Sequence, residues 1–200
     1  MEDKRAISIL SGGIDSSVTT ALAKSKGYIL TAITFDYGQK HRIEIEYARK
    51  ICKFLDIKDH IIFTIDIGSF GGSALTDKKI EIPTLSFPVA KKRKNKEAIP
   101  ITYVPMRNLV FLSIATSLAE AKGISTIFFG ANIVDYSGYP DCRPQFVRSF
   151  TKTANLASKN FHTTRRSFKI LTPLINMSKV EIIKKGLALG LDFSLTYSCY

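Results

Sequence analysis

Apolar residues arrive in short blocks separated by glycine- and charge-rich breaks, and the blocks alternate between two periods. Residues 6–10 (Ala-Ile-Ser-Ile-Leu) form a compact apolar run that stops at Ser11-Gly12-Gly13, the pattern of a buried strand ended by a glycine turn. Residues 15–26 read as a helix closed by Gly27, and residues 28–35, rich in Ile and Thr, as a second strand. Within residues 40–55, Ile43, Tyr47, Ile51 and Leu55 recur at helical spacing. A third strand is predicted at residues 59–67. Residues 68–104 are Gly-rich, then Pro-punctuated and basic, and read as an irregular excursion. A helix over 108–122 closed by Gly123, a strand over 125–130, a Gly-, Pro- and Tyr-dense loop over 135–144 and a helix over 144–159 follow. The chain ends with a fifth strand at 168–171 and a helix over 178–189 closed by Gly190. This alternation predicts an α/β fold: a doubly wound, parallel five-stranded sheet with helices on both faces, in a single domain over residues 1–200. Ligands of such sheets sit at the carboxyl ends of the strands, near the switch point, where the first strand delivers Ser11-Gly12-Gly13.

Composition narrows the class. The 200 residues are 45% hydrophobic and 23% charged, ordinary for a globular chain. The longest membrane-span candidate, residues 109–119, is too short and carries Ser and Thr. The N-terminus mixes charges and its apolar run is short, so no signal peptide is read and a cytoplasmic location is expected. Three scattered cysteines, Cys52, Cys142 and Cys199, argue against a disulfide framework, and no CxxC pair is present. Cys52 falls among core positions of a helix. The net charge is +12, from 29 basic and 17 acidic residues. A solvated basic surface accounts for most of that excess, against an attraction to nucleotides or RNA. The run 91–96 lies between Pro88 and Pro100 and reads as a loop tip.

The segment Ser11-Gly12-Gly13-Ile14-Asp15-Ser16-Ser17 carries the chemistry. Its glycines let the backbone turn and approach a ligand. The following helix presents N–H groups and a positive dipole end, and Ser11, Ser16 and Ser17 add hydroxyls. The result is an anion cradle; the alternative is a plain turn capped by Asp15 or Ser16. Neither GxxxxGK[ST] nor GxGxxG is present.

The segment resembles the SGGxDS pyrophosphate-binding loop of the ATP-pyrophosphatase (PP-loop) superfamily, whose fold is adenine nucleotide alpha-hydrolase-like. Four more segments complete a resemblance that spans essentially the whole chain: Phe35-Asp36-Tyr37-Gly38-Gln39-Lys40-His41, Tyr103-Val104-Pro105-Met106-Arg107-Asn108, Asp135-Tyr136-Ser137-Gly138-Tyr139-Pro140-Asp141-Cys142-Arg143 and Thr196-Tyr197-Ser198-Cys199-Tyr200. With the loop, and in this order, they are similar to the 7-cyano-7-deazaguanine synthase family, and residues 135–143 are the specific part. The resemblance implies an ATP-dependent carbon–nitrogen ligase of queuosine-type 7-deazapurine biosynthesis. It would convert 7-carboxy-7-deazaguanine and ammonia to 7-cyano-7-deazaguanine, adenylate first the acid and then the amide, and release AMP and pyrophosphate. It also implies ATP with Mg²⁺, a structural Zn²⁺ and a homodimer.

Residue by residue, the resemblance places the nucleotide on Leu10, Ser11, Gly12, Gly13, Ile14, Asp15, Ser16, Ser17, Val18, Thr19 and Thr20, with Asp36, Tyr37 and Gln39 at adenine or ribose. Ser11, Asp15, Ser16, Arg107 and Lys179 are the catalytic candidates. Arg107 stands at the start of one predicted helix and Lys179 in the first turn of another, where a cation opposes the dipole unless an anion is near. Ser178-Lys179-Val180-Glu181 also reads as a capping box, and Asn108 as a possible N-cap. Asp15 either helps hold Mg²⁺ or caps its helix; His41 is either a site residue or a surface one. Arg107, Asn108, Asp135, Tyr136, Tyr139, Asp141 and Arg143 are the substrate candidates. The carboxylates would accept N–H donors of a guanine-like edge, and Tyr136 or Tyr139 would stack on the ring; a bare turn is the alternative. Cys142 either lines the pocket or fills the core. Cys199 matches the first of four cysteines that bind zinc in the family, so residues 191–200 would open that segment. The other three ligands would lie beyond Tyr200, leaving either a truncated chain or one without this zinc. Two other functions compete: adenylation of a tRNA base, for which 200 residues leave no room for an added tRNA-binding domain, and a non-catalytic adenine-nucleotide sensor.

Overall fold

The computed structural model describes residues 4–77, 79–80, 99–133 and 139–197. Five strands, β1 (Arg5–Ile9), β2 (Ile29–Asp36), β3 (Asp59–Thr64), β4 (Thr126–Phe128) and β5 (Lys169–Leu171), form one sheet in the order β3-β2-β1-β4-β5. Every pairing is parallel. The helices are α1 (Ile14–Ser25), α2 (Ile43–Phe54), α3 (Arg107–Ala121), α4 (Pro144–Ala157), α5 (Lys159–Thr164) and α6 (Lys179–Ala188).

The strand sequences explain the layering. β1 and β2 are buried along nearly their whole length, as strands covered on both faces must be. Alternate residues serve opposite faces: Ile7, Ile9, Ile33 and Phe35 pack with Phe111, Leu112 and Ala115 of α3 and Val147 of α4. Ala6, Leu30 and Ala32 pack with Val18 and Ala21 of α1, Ala48 and Ile51 of α2, and Ile182 of α6. At roughly 25 cal/mol per Å² of apolar surface, these two faces dominate the folding energy. The sheet grows outward from β1 through β2 to β3, then returns across to β4 and β5. The switch point therefore falls between β1 and β4, and their carboxyl ends open onto one crevice.

The doubly wound, five-stranded expectation holds, and the differences are local. The strand read over 59–67 ends at Thr64, and the one over 125–130 is Thr126–Phe128. The single helix over 144–159 is two: Ser158 takes extended backbone (φ −80°, ψ 128°), and its hydroxyl accepts from Phe161 N. A serine cap of this kind starts a new helix rather than continuing the old one. Asn108 is not the N-cap of α3. The helix begins at Arg107, and the capping position is Met106 in left-handed backbone (φ 54°). Within 68–104 the described residues hold one short 3-10 turn, Gly68–Phe70; residues 81–98, with the basic run 91–96, lie outside the described residues.

Candidate active site

A cavity of about 230 Å³ opens at the carboxyl ends of β1, β2 and β4. Its floor is the loop after β1. Ser16 Oγ accepts from Ser11 N (3.1 Å) and donates to Gly13 O (3.0 Å), while Ser11 Oγ lies 3.0 Å from it. Gly13 N donates to Ser11 Oγ (3.3 Å). The two hydroxyls therefore hold each other and the backbone of the loop. α1 starts at Ile14 with Gly13 at its capping position and no side-chain cap. Neither Asp15 nor Ser16 caps the helix, and its first turn, with Ile14, Asp15 and Ser16, lines the cavity. Asp15 instead pairs with Lys179 Nζ at 2.6 Å, across from α6. Lys179 is the first helical residue within a complete capping box between Ser178 and Glu181, so the lysine stands on a helix end that its charge does not suit.

Close approach shapes the floor from two sides. A Cβ on Gly130, just past β4, would lie 3.0 Å from Ser16 Cα and N. Gly12 meets α2 in the same way, and Tyr197 N donates to Gly12 O (2.9 Å).

The far wall comes from α3. Arg107 lies beside Tyr37, with Nη1 3.4 Å from its hydroxyl, and over the rings of Tyr37 and Phe111 at 5.7 and 5.9 Å. Phe35 stacks on Phe111 at 4.0 Å, and the pair gives the cavity an apolar side. Gln39 folds inward: its Oε1 accepts from Tyr37 N (2.8 Å) and its Nε2 donates to Phe35 O (3.2 Å). Asn108 N donates to Asp141 Oδ2 (2.9 Å), and Asn108 Nδ2 to Cys142 Sγ (3.2 Å). Asp141 thus supplies, from 33 residues away, the cap that Met106 cannot. Burial pushes the Asp141 carboxyl above its ordinary value of 3.8; burial, then the neighbouring Asp141, pushes the Cys142 thiol up to about 12. Tyr139 packs beside Tyr103 at 5.8 Å, and its hydroxyl bonds Thr102 Oγ1 (2.7 Å).

The cavity therefore gathers Leu10, Ser11, Gly13, Ile14, Asp15, Ser16, Tyr37, Gln39, Arg107, Asn108, Tyr139, Cys142 and Lys179 from the predicted set. Others stand apart. Gly12, Ser17, Val18, Thr19 and Thr20 lie behind it: Val18 is core, and Thr20 bonds Ser16 O and Ser8. Asp36 is drawn off by an ion pair with Arg42. Asp141 serves α3, and Arg143 is an exposed residue at the start of α4. His41 is absent from the lining; its ring lies 6.2 Å from that of Tyr197. Cys52 is core. Asp135, Tyr136 and Cys199 lie outside the described residues. Among the described residues no three His, Cys, Asp or Glu side chains gather as a metal site, and no helix is long and apolar enough to cross a membrane. Sequence reasoning missed Ile9, Phe35, Glu44, Phe111, Phe129, Gly130, Ala131, Asn132 and Tyr197 as lining residues. Gly130 was findable, since a glycine ending a buried strand signals close backbone approach; Phe111 and Asn132 had no local signal.

A glycine- and hydroxyl-lined loop at a doubly wound switch point, facing an arginine and an aromatic wall, is the arrangement of a PP-loop, adenine nucleotide alpha-hydrolase-like protein. Solved structures agree on that fold. A 4-thiouridine synthetase–RNA complex with bound ATP matches with TM-score 0.57 and 20% identity over 93% of this chain and 40% of that one. NMN synthetase from Francisella tularensis matches with TM-score 0.54 and 18% identity over 96% of this chain and 64% of that one. The model of the family described as "Queuosine biosynthesis protein QueC" matches residues 5–200, and the chain belongs to that family. It is 50% identical to the 7-cyano-7-deazaguanine synthase of Syntrophus aciditrophicus over 98% of this chain and 83% of that protein. It is 46% identical to that of Pseudomonas fluorescens over 100% of this chain and 85% of that protein.

Proposed function

We propose that this chain converts 7-carboxy-7-deazaguanine and ammonia to 7-cyano-7-deazaguanine, using two ATP and releasing AMP and pyrophosphate twice. The observation that carries the reading is one cavity that joins the Ser11–Ser16 cradle and the Lys179–Asp15 pair to Arg107 and its aromatic wall. The donor set fits a triphosphate: loop N–H groups, two hydroxyls and two cations. The carboxylate oxygen of the substrate attacks the α-phosphorus, and pyrophosphate leaves into the loop, where Ser11, Ser16 and Lys179 meet its charge. Ammonia adds to the acyl carbon, AMP departs with the oxygen, and one proton is lost to give the amide. The amide oxygen then attacks a second α-phosphorus. Pyrophosphate leaves again and the nitrogen gives up one proton; loss of AMP and the remaining N–H proton then leaves the nitrile. The chain's own contribution is orientation and charge stabilisation: Lys179 and Arg107 face the phosphates from opposite walls, and Phe35 and Phe111 hold the planar ring. Mg²⁺ would supply further charge neutralisation at the phosphates, with Asp15 the carboxylate suited to hold it.

Pyrophosphate release from ATP, measured with the acid and ammonium and with product mass recorded, tests the reading. Release that depends on the acid and yields the nitrile supports it; release that needs tRNA instead, or ATP binding without release, refutes it. Ammonia as nitrogen source, a homodimer and a cytoplasmic location accompany the family reading. Ammonium dependence and sizing of the same preparation test the first two.

A further inference from the structure

Three hydrogen bonds connect the phosphate loop to a strand that does not touch the cavity. Leu10 is the last residue before the loop, and its carbonyl accepts from Thr34 Oγ1 of β2 at 2.6 Å. That same hydroxyl lies 2.8 Å from His60 Nε2 of β3. Thr34 and Leu10 are 1% and 0% exposed, so neither group has water as an alternative partner. A threonine hydroxyl has one proton, and here it goes to Leu10 O. Thr34 Oγ1 must then accept from His60, which fixes the imidazole as the Nε2–H tautomer.

The carbonyl of Leu10 and the N–H of Ser11 belong to one planar peptide unit. Pinning the oxygen therefore aims the N–H, and that N–H donates to Ser16 Oγ at 3.1 Å. Ser16 Oγ passes its own proton to Gly13 O and meets Ser11 Oγ. The line runs without a gap from His60 through Thr34 and the Leu10–Ser11 peptide to the two hydroxyls of the cradle. Each bond polarises the next in a low-dielectric interior.

We infer that His60 and Thr34 are positioning residues for nucleotide binding: from β3 and β2 they orient the Leu10–Ser11 peptide and, through it, the Ser11 and Ser16 hydroxyls that receive phosphate. Burial, then Arg49 of α2, holds the His60 pKa below its ordinary value; the imidazole donates from Nε2 in its neutral and charged forms alike, so the relay works on both sides of that pKa. The inference rests on the loop being the nucleotide site, and the test separates the two claims.

The full chain is titrated calorimetrically with the α,β-methylene analogue of ATP, which binds without turnover. Thr34→Val, isosteric but without the hydroxyl, and His60→Leu each weaken analogue binding about five- to tenfold, the loss expected for one buried hydrogen bond. The double variant loses no more than the larger single, because both break one line. Thr34→Ser and His60→Gln, which restore a donor, stay within about twofold of wild type. The KM for 7-carboxy-7-deazaguanine does not move. Unchanged analogue affinity in Thr34→Val and His60→Leu overturns the inference. So does a Ser variant that falls as far as the Val variant, or an acid KM that rises in step. A wild-type chain that fails to bind the analogue sinks the nucleotide reading itself.

Discussion

Gly12 and Gly13 are neighbours in one motif, yet the structure assigns them opposite tolerance to a single methyl group. Gly12 sits at φ +87°, and a Cβ there would lie 2.4 Å from Glu44 O and 2.8 Å from Ala48 N. These are backbone atoms of α2, so no rotamer relieves the contact. The left-handed backbone costs a non-glycine residue about 1–2 kcal/mol. Forcing α2 off the loop adds about 1–3 kcal/mol of overpacking strain. The sum, roughly 2–5 kcal/mol, is a large part of the ~5–15 kcal/mol that holds a domain together. For a chain of this size it lowers the thermal midpoint by on the order of 10 °C. Gly13 has φ −80°, and its added Cβ would meet only Ser11 Oγ at 3.5 Å and Tyr197 O at 3.6 Å, ordinary contacts. Gly13→Ala should therefore leave stability within about 1 kcal/mol of wild type, with reduced unfolded-state entropy acting in its favour. Urea unfolding and thermal melts of the two variants, run together, provide the measurement. Gly13 lines the cavity, so its alanine variant is expected to fold normally while losing pyrophosphate release. If the two variants melt within about 2 °C of each other, the account of Gly12 as a packing point between loop and α2 is wrong.

Lys179→Met should lower acid-dependent pyrophosphate release by about a hundredfold or more while moving the melting midpoint little, because its partly exposed pair with Asp15 is worth no more than about 1 kcal/mol. Asp141→Ala should destabilise the start of α3 by about 1 kcal/mol and raise the KM for the acid through Arg107 and Asn108; Asp141→Asn, which keeps an acceptor for Asn108 N, should restore most of both in steady-state and urea assays. Because burial raises the folded pKa of Asp141, its contribution to stability is full below the unfolded value of 3.8 and is lost as pH rises through the folded pKa. Urea titrations across the acid range should show the Asn variant gaining on wild type as pH increases. Cys52 and Cys142, both pushed up to about 12 by burial, carry roughly one thiolate in ten thousand at pH 8. Iodoacetamide should leave both unlabelled in the native chain by peptide mapping and label both in urea.

The parts of this molecule legible in its sequence are those whose causes are local. β1, its glycine stop and the helix after it follow from an apolar run, two glycines and a hydroxyl cluster within a dozen residues, and the structure adds only that Gly12 faces α2 while Gly13 lines the cavity. The parallel, doubly wound sheet followed too, because strands separated by helices admit few arrangements, although the order β3-β2-β1-β4-β5 came only with the structure. What sequence could not supply are bonds that span the fold. Asn108 reads as a cap by its type, but α3 is capped by Asp141, which no local rule brings to that helix end. Asp36, at the end of β2, reads as an adenine or ribose partner, and its ion pair with Arg42, six residues on, carried no signal in the sequence. The break at Ser158 was readable in principle, since serine is a strong cap, but the apolar spacing across it continues and conceals the stop. The line from His60 is the extreme case: each member is unremarkable in its own strand, and only the register that sets Thr34 between Leu10 and His60 joins them to the peptide that opens the loop. The loop is therefore announced by its own residues, while the hydrogen bonds that fix its peptides come from strands that the loop's sequence does not mention.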